Sequence, residues 1–225
     1  KKSLKMKLSS TIISGIIALG VISCGEETPK ERVNNMSQET NELVGNSIGK
    51  IYEIVEDESF IKWTGSKPTE DHFGTLNIIP TSIELKGELI MGGDIIIDML
   101  SLKVTDIEDE ESNAKLLGHL RGEDFFAVDQ YPAAHLFVTE SIMNDTARLL
   151  LAELEIKGIA HPAEIRYDIK NNDDIAVITG THTFDRTIYD IKYKSKSILG
   201  DLGDKFINDE IKLEFNIVLK EAKMN

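Results

Sequence analysis

Along Ile211-Lys212-Leu213-Glu214-Phe215-Asn216-Ile217-Val218-Leu219 every odd position is apolar and most even positions are polar. A strand with one buried face produces this period of two, because successive side chains point to opposite sides of a sheet. Asp94–Met99 buries Ile95, Ile97 and Met99 by the same reasoning and turns both Asp residues outward. Ala152, Leu154 and Ile156 alternate likewise, as do Ile165, Tyr167 and Ile169. Further strands are predicted over Phe60–Thr64, Gly74–Ile79, Ile83–Ile90, Ala134–Thr139 and Ile175–Phe184. Gly92-Gly93, Asn171-Asn172-Asp173-Asp174 and Gly200-Asp201 are turn signals between them. One stretch, from about Asn113 to Phe126, has helical spacing, with Leu116, Leu117, Leu120 and Phe125 on one face. About eight strands without strand–helix alternation predict an all-β antiparallel fold. A sheet with one apolar side must close or be covered, so a closed barrel of about eight strands is expected, with a filled sandwich as the alternative.

The start of the chain follows a different pattern. Lys1, Lys2, Lys5 and Lys7 precede an apolar run from Ile12 to Ile22, which ends in Val21-Ile22-Ser23-Cys24-Gly25. That run is short for a membrane span, which needs about 20 apolar residues. A basic start, an apolar stretch and a small residue before Cys24 read as a lipoprotein signal over residues 1–23. The Cys24 thiol and the new N-terminus would carry acyl chains, and several chains together anchor stably where one does not. The expected address is the cell envelope: an outer-membrane-anchored lipoprotein, periplasmic or surface-exposed. Glu26-Glu27 directly after the cysteine resembles the signal for surface export in some Bacteroidetes lipoproteins. Residues 24–49 are rich in Glu, Asn, Ser and Thr and read as an acidic, flexible tether, with one weak amphipathic turn at Met36–Leu43. The folded domain is expected over residues 50–222.

The formal net charge of -14 argues against nucleic acid as a partner, since phosphate binding needs Lys and Arg clusters. A single cysteine removes any disulfide framework. His72, His119, His135, His161 and His182 have no metal-ligand spacing, so no metal is expected. Neither a nucleophile elbow nor a dinucleotide or phosphate loop occurs, so no cofactor and no catalytic residue is assigned.

Other motifs stand out. His119-Leu120-Arg121-Gly122-Glu123-Asp124-Phe125-Phe126 is followed by Gln130-Tyr131-Pro132, then Leu154-Glu155-Ile156-Lys157-Gly158-Ile159-Ala160-His161-Pro162, then Asp185-Arg186-Thr187. With His72-Phe73-Gly74-Thr75 and Gly203-Asp204-Lys205 before Asp209-Glu210-Ile211, these resemble the YceI-like polyisoprenoid-binding family over essentially the whole folded domain. The resemblance implies a lipocalin-like antiparallel barrel with a short helix beside its mouth. It further implies non-enzymatic binding of a long isoprenoid or quinone-like lipid in the lumen. By alternation the lumen is faced by Ile61, Trp63, Leu76, Ile97, Met99, Leu136, Val138, Leu154, Ile156, Phe184, Leu213 and Phe215, and the aromatics Phe125 and Phe126 join the candidate lipid-binding set. Arg121 and Arg186 are candidates for a phosphate or carbonyl head group, with pairing to Asp124 or Asp185 as the alternative. Ala160 and Ala127-Val128-Asp129 depart from the family pattern and leave the head group open. The competing functional reading is an acidic protein-interaction module with a solid core and no ligand, and a homodimer is compatible with either.

Overall fold

Period-two alternation is realised as ten antiparallel strands in a computed structural model that describes residues 49–143, 147–172, 174–200 and 203–223. The leader, Cys24, the tether to residue 48 and the turn at Met36–Leu43 lie outside the described residues. In chain order the strands are β1 (Lys50–Ile54), β2 (Phe60–Lys67), β3 (Glu70–Ile79), β4 (Ser82–Lys86), β5 (Leu89–Val104), β6 (Ala133–Met143), β7 (Arg148–Ile156), β8 (Ile159–Asn172), β9 (Ile175–Asp185) and β10 (Glu210–Glu221). Helix α1 (Glu110–Arg121) joins β5 to β6, and the one-turn α2 (Lys196–Leu199) lies in the long β9–β10 connection.

Eight strands close a ring in the order β5-β3-β2-β10-β9-β8-β7-β6, with β6 pairing back to β5. The two extra strands extend one stretch of wall. β10 pairs with β2 from Ile211 to Asn216 and with β1 at Leu219–Glu221, while β5 pairs with β4 at Leu89–Gly93 and with β3 beyond Ile96. At one end of the barrel β1 and β4 therefore stand where β2 and β3 stand elsewhere. That end is packed solid: Tyr52, Ile83, Leu85, Ile90 and Leu219 are at most 2% exposed. The Tyr167 hydroxyl donates to the Glu88 carbonyl at 3.1 Å, and Glu88 pairs with Arg148, pinning the β4–β5 turn beside it.

Two expectations about β4 and β5 are corrected. Ile83–Ile90 is not one strand, because the chain reverses at Gly87-Glu88, where Gly87 has a φ of 63°. Gly92-Gly93 is not a turn but part of the 16-residue β5. A Cβ on Gly93 would lie 2.6 Å from Ile83 Cδ1, so the glycine is there for close approach, not reversal.

Further along β5, Met99–Leu102 oppose only Leu76 of β3. This bulge makes its own hydrogen bonds. The Leu100 N–H donates to Asp98 Oδ1 at 2.9 Å, the Asn77 N–H to Ser101 Oγ at 2.8 Å, and the Met99 N–H to the Pro132 carbonyl at 3.0 Å. Its effect is to bury Met99 and Leu102 three positions apart, out of step with simple alternation.

Helix α1 also shifts from its expected place. It starts at Glu110 because the Asp109 carboxylate accepts from the Ser112 N–H at 2.9 Å, an N-cap that satisfies an otherwise orphaned donor. It stops at Arg121, before Gly122, so Phe125 and Phe126 lie in the turn beyond. The Asn113 amide donates to the Val104 and Ile107 carbonyls at 3.1 and 2.9 Å, tying the helix to the end of β5.

Candidate functional site

The end of the barrel opposite β1 and β4 is hollow. Its lumen holds a cavity of about 700 Å³, within the range of roughly 300–1,000 Å³ usual for small-molecule sites. Inward positions of the strands form its wall because period two sends every second side chain there. Trp63, Ile97, Met99, Leu154, Ile156 and Phe184, all expected in the lumen, line this cavity. Phe125 and Phe126 line it from the turn after α1, their rings edge-to-face at 5.5 Å. Leu136 and Phe215 border a smaller space of about 50 Å³ deeper in the barrel. Ile61, Ile97, Leu154 and Leu213 border both and form the neck between them. Val138 borders neither space. It still lies on the inner side of β6, paired with buried Ala152 and packed against the hydrophobic core, just before the register of β6 against β7 slips.

Trp63 also closes the wall. Its indole N–H donates to the Lys103 carbonyl at 3.1 Å, just beyond the β5 bulge. Gly74 makes this possible: a Cβ there would fall 1.7 Å from that carbonyl and 2.8 Å from the indole nitrogen. Only a residue without a side chain lets β3 pass at this point.

The mouth is roofed by α1 and the β9–β10 connection. Leu116 and Leu120 face the cavity from α1, and Tyr193 and Ile207 face it from the connection. The Tyr193 ring stacks on His119 at 5.9 Å and meets Phe125 edge-on at 6.4 Å, joining the two halves of the roof. Behind them, burial pushes the Tyr189 hydroxyl up to about 12, so it stays protonated against Phe184 and His161.

Neither arginine expected at a head group borders the cavity. Arg186 is fully buried, and its guanidinium donates to the carbonyls of Ile191 at 2.7 Å, Ile207 at 3.1 Å and Asn208 at 3.1 Å, with Asp209 Oδ1 at 3.4 Å. Arg121 donates to the Leu100 and Leu102 carbonyls at 2.7 and 3.0 Å, filling acceptors that the β5 bulge leaves outside the ladder. Both are spent on irregular backbone. Their alternative partners are not used either: Asp124 meets His119 and Asp185 caps Thr187.

Four lysines do border the cavity, at its mouth: Lys67, Lys115, Lys194 and Lys205. Among the described residues Glu70 is the one acid lining the cavity with them, and it pairs with Lys67. Beside it His72 bonds Asp106 at 2.8 Å. Burial raises the Asp106 pKa, but hydrogen bonds from His72 and from backbone N–H groups outweigh it and hold the carboxyl below its ordinary range. Lys67 ends β2, Glu70 and His72 open β3, Lys115 is on α1, and Lys194 and Lys205 lie in the β9–β10 connection, so the alternation of no single strand pointed to them. Among the described residues, no group of three or more His, Cys, Asp or Glu side chains is placed to hold a metal ion.

His182 borders the deeper space, stacked on Phe184 at 6.4 Å. Burial lowers its pKa, against an opposing bond to the Glu164 backbone. The folded protein therefore resists protonating it while the unfolded chain takes up a proton as pH falls through about 6.5, so its contribution to stability is intact above that pH and lost below. Urea unfolding should show the midpoint falling from about pH 7 to pH 5, and His182→Leu should flatten that slope relative to wild type. Equal slopes would show that the imidazole titrates freely in the fold.

A family model described as a YceI-like domain matches residues 52–219. Among solved structures, BcnA of Burkholderia cenocepacia superposes with a TM-score of 0.58 at 17% identity, over 73% of this chain and 98% of that one. A polyisoprenoid binding domain from Saccharophagus degradans, implicated in plant cell wall breakdown, gives 0.55 at 14% identity, over 76% and 98%. At these identities the two structures support the fold. None of the curated protein sequences matches the chain.

Proposed function

The chain belongs to the family of YceI-like domains, and from that premise we propose that it binds a long isoprenoid or quinone-like lipid, without catalysis, in the hollow end of its barrel. The observation that carries this is the cavity of about 700 Å³ walled by Trp63, Met99, Leu154, Ile156 and Phe184. Burial of a CH₂ equivalent is worth on the order of 0.8 kcal/mol, so one isoprene unit contributes about 4 kcal/mol before the costs of association. A tail can bind by that term alone, with width and depth of the lumen setting the fit. The neck at Ile61, Ile97, Leu154 and Leu213 leads on to the deeper space, which offers room for the tail's end if the neck side chains rotate. A solid-core interaction module draws no support from a barrel with this much empty volume.

Acylation of Cys24 would hold the domain at the outer membrane, facing the periplasm or the surface. Among the described residues no helix is long and apolar enough to cross a membrane. Protein purified from its native envelope should release an apolar compound on organic extraction, near one per chain by native mass spectrometry. The Cys24→Ser variant should lose both palmitate label and membrane association. A barrel that is empty whenever isolated would overturn the lipid reading, and undiminished labelling would overturn the anchor.

A further inference from the structure

We propose that the β9–β10 side of the mouth is a docking surface for an anionic bilayer, so that the barrel opens against the membrane. This goes beyond the lumen and its ligand and does not depend on them. A reversal of charge and an exposure of apolar side chains fall on the same short segment. From Lys192 to Leu199 the chain reads Lys-Tyr-Lys-Ser-Lys-Ser-Ile-Leu, three lysines and no acid in a protein of 39 acidic and 25 basic residues. Lys205, farther along the connection, adds a fourth. Lys192 pairs with Asp190, whereas Lys194, Lys196 and Lys205 form no ion pair among the described residues. Directly after them, in α2, Ile198 and Leu199 are 45% and 56% exposed.

The segment is tied together at the rim. The Ile207 N–H donates to the Lys194 carbonyl at 2.9 Å, Ser195 bridges to Ile207, and the Leu199 N–H donates to the Ser195 carbonyl at 3.0 Å. Lys194 and Lys205 border the opening itself. The Lys194 and Lys196 ammonium groups lie 5.1 and 4.8 Å from the ring centroids of Tyr193 and Phe206, both half-buried. Lysines, half-buried aromatics and exposed aliphatics on one patch match the layers of a bilayer interface. The ammonium groups meet anionic head groups, the rings sit at head-group level, and Ile198 and Leu199 enter the acyl boundary. A zwitterionic surface supplies no net charge to meet the lysines. On the other side of the mouth α1 opens with Glu110 and Glu111, so contact falls on the connection and not on the whole rim. An anchor at Cys24 permits this pose although the chain enters the barrel at its solid end: residues 24–49 at up to about 3.4 Å each can reach about 85 Å. The 16-residue β5 spans only about 55 Å.

The test is co-sedimentation of the chain from residue 24 onward, which contains every described residue, with Cys24→Ser so that no acyl chain contributes. The vesicles are phosphatidylcholine alone, or phosphatidylcholine mixed equally with phosphatidylglycerol. Each lysine near an anionic surface is worth about fivefold in partitioning, so the mixed vesicles should bind about 100-fold more strongly in about 0.1 M salt. That advantage should shrink in about 0.5 M salt. Lys194→Gln/Lys196→Gln/Lys205→Gln should reduce it to within about 5-fold. Lys103→Gln/Lys170→Gln/Lys212→Gln removes the same charge from exposed positions on the strands and should leave it intact. Ile198→Ser/Leu199→Ser should weaken binding to the mixed vesicles at least about 10-fold with the salt dependence unchanged. All the substituted side chains are exposed, and circular dichroism confirms that each variant is folded. Equal binding to the two vesicles, or an advantage that survives the first triple substitution, overturns the proposal. So does a dimer in analytical ultracentrifugation that this substitution abolishes while the vesicles show no advantage, since the basic face would then meet a second, acidic copy of the chain. None of these results touches the lumen reading, which extraction of a bound lipid decides.

Discussion

Arg186→Met should lower the stability of the domain by about 3–5 kcal/mol, the cost expected when one member of a buried charged network is removed. The guanidinium is completely buried and serves three backbone carbonyls, Ile191, Ile207 and Asn208, as well as Asp209. Those carbonyls come from opposite ends of the β9–β10 connection, so one side chain ties its beginning to its end. Where a buried ion pair is replaced on both sides by apolar groups, the exchange can be neutral. That route is closed here, because carbonyls cannot be mutated away and each is left without a donor at a cost of about 1–3 kcal/mol. Burial lowers the arginine's own pKa, with Asp209 and Asp185 opposing, yet a guanidinium stays charged throughout the accessible range. Arg186→Lys keeps the charge but not the fork, and should recover less than half of the loss. Urea denaturation checks both. A midpoint shift equivalent to less than about 1 kcal/mol for Arg186→Met would mean that water replaces the guanidinium without penalty.

The same residue shows where sequence reading reaches its limit. Alternation placed Trp63, Ile97, Met99, Leu154 and Phe184 on the lumen side because a regular strand allows only two directions for a side chain. It missed Leu102, since the β5 bulge inserts residues that period two does not count. It set Val138 on that same inner face, where the side chain packs against the core without bordering either space. Arg121 and Arg186 are conspicuous cations, but sequence gives charge and not direction. Both turn out to serve carbonyls that irregular backbone exposes, one at a bulge and one in a long connection. The lysines of the mouth lie at the end of β2, on a helix and in that same connection, and only the closure of the barrel brings them to one opening. Regular elements were legible from the chain, and what joins them was not.

Filling the lumen separates binding from folding most sharply. Ala134 is buried on β6, paired with Ile97 across the wall, and borders the main cavity. Ala134→Trp would place an indole in space that the tail is proposed to occupy. In a close-packed core such an insertion costs about 1–3 kcal/mol, but a cavity of about 700 Å³ can receive the ring, so the domain should stay folded. Each isoprene unit excluded removes about 4 kcal/mol of apolar burial, and even partial exclusion should weaken binding of geranylgeraniol at least about 100-fold. Ala133→Trp adds the same bulk at the neighbouring position, which alternation turns toward the outside, and should bind as wild type does. Far-ultraviolet circular dichroism and the urea midpoint establish that both variants are folded, and displacement of a bound fluorescent lipid reports affinity, since the added indole masks the Trp63 signal. If Ala134→Trp folds and still binds fully, the lipid lies elsewhere than in the lumen.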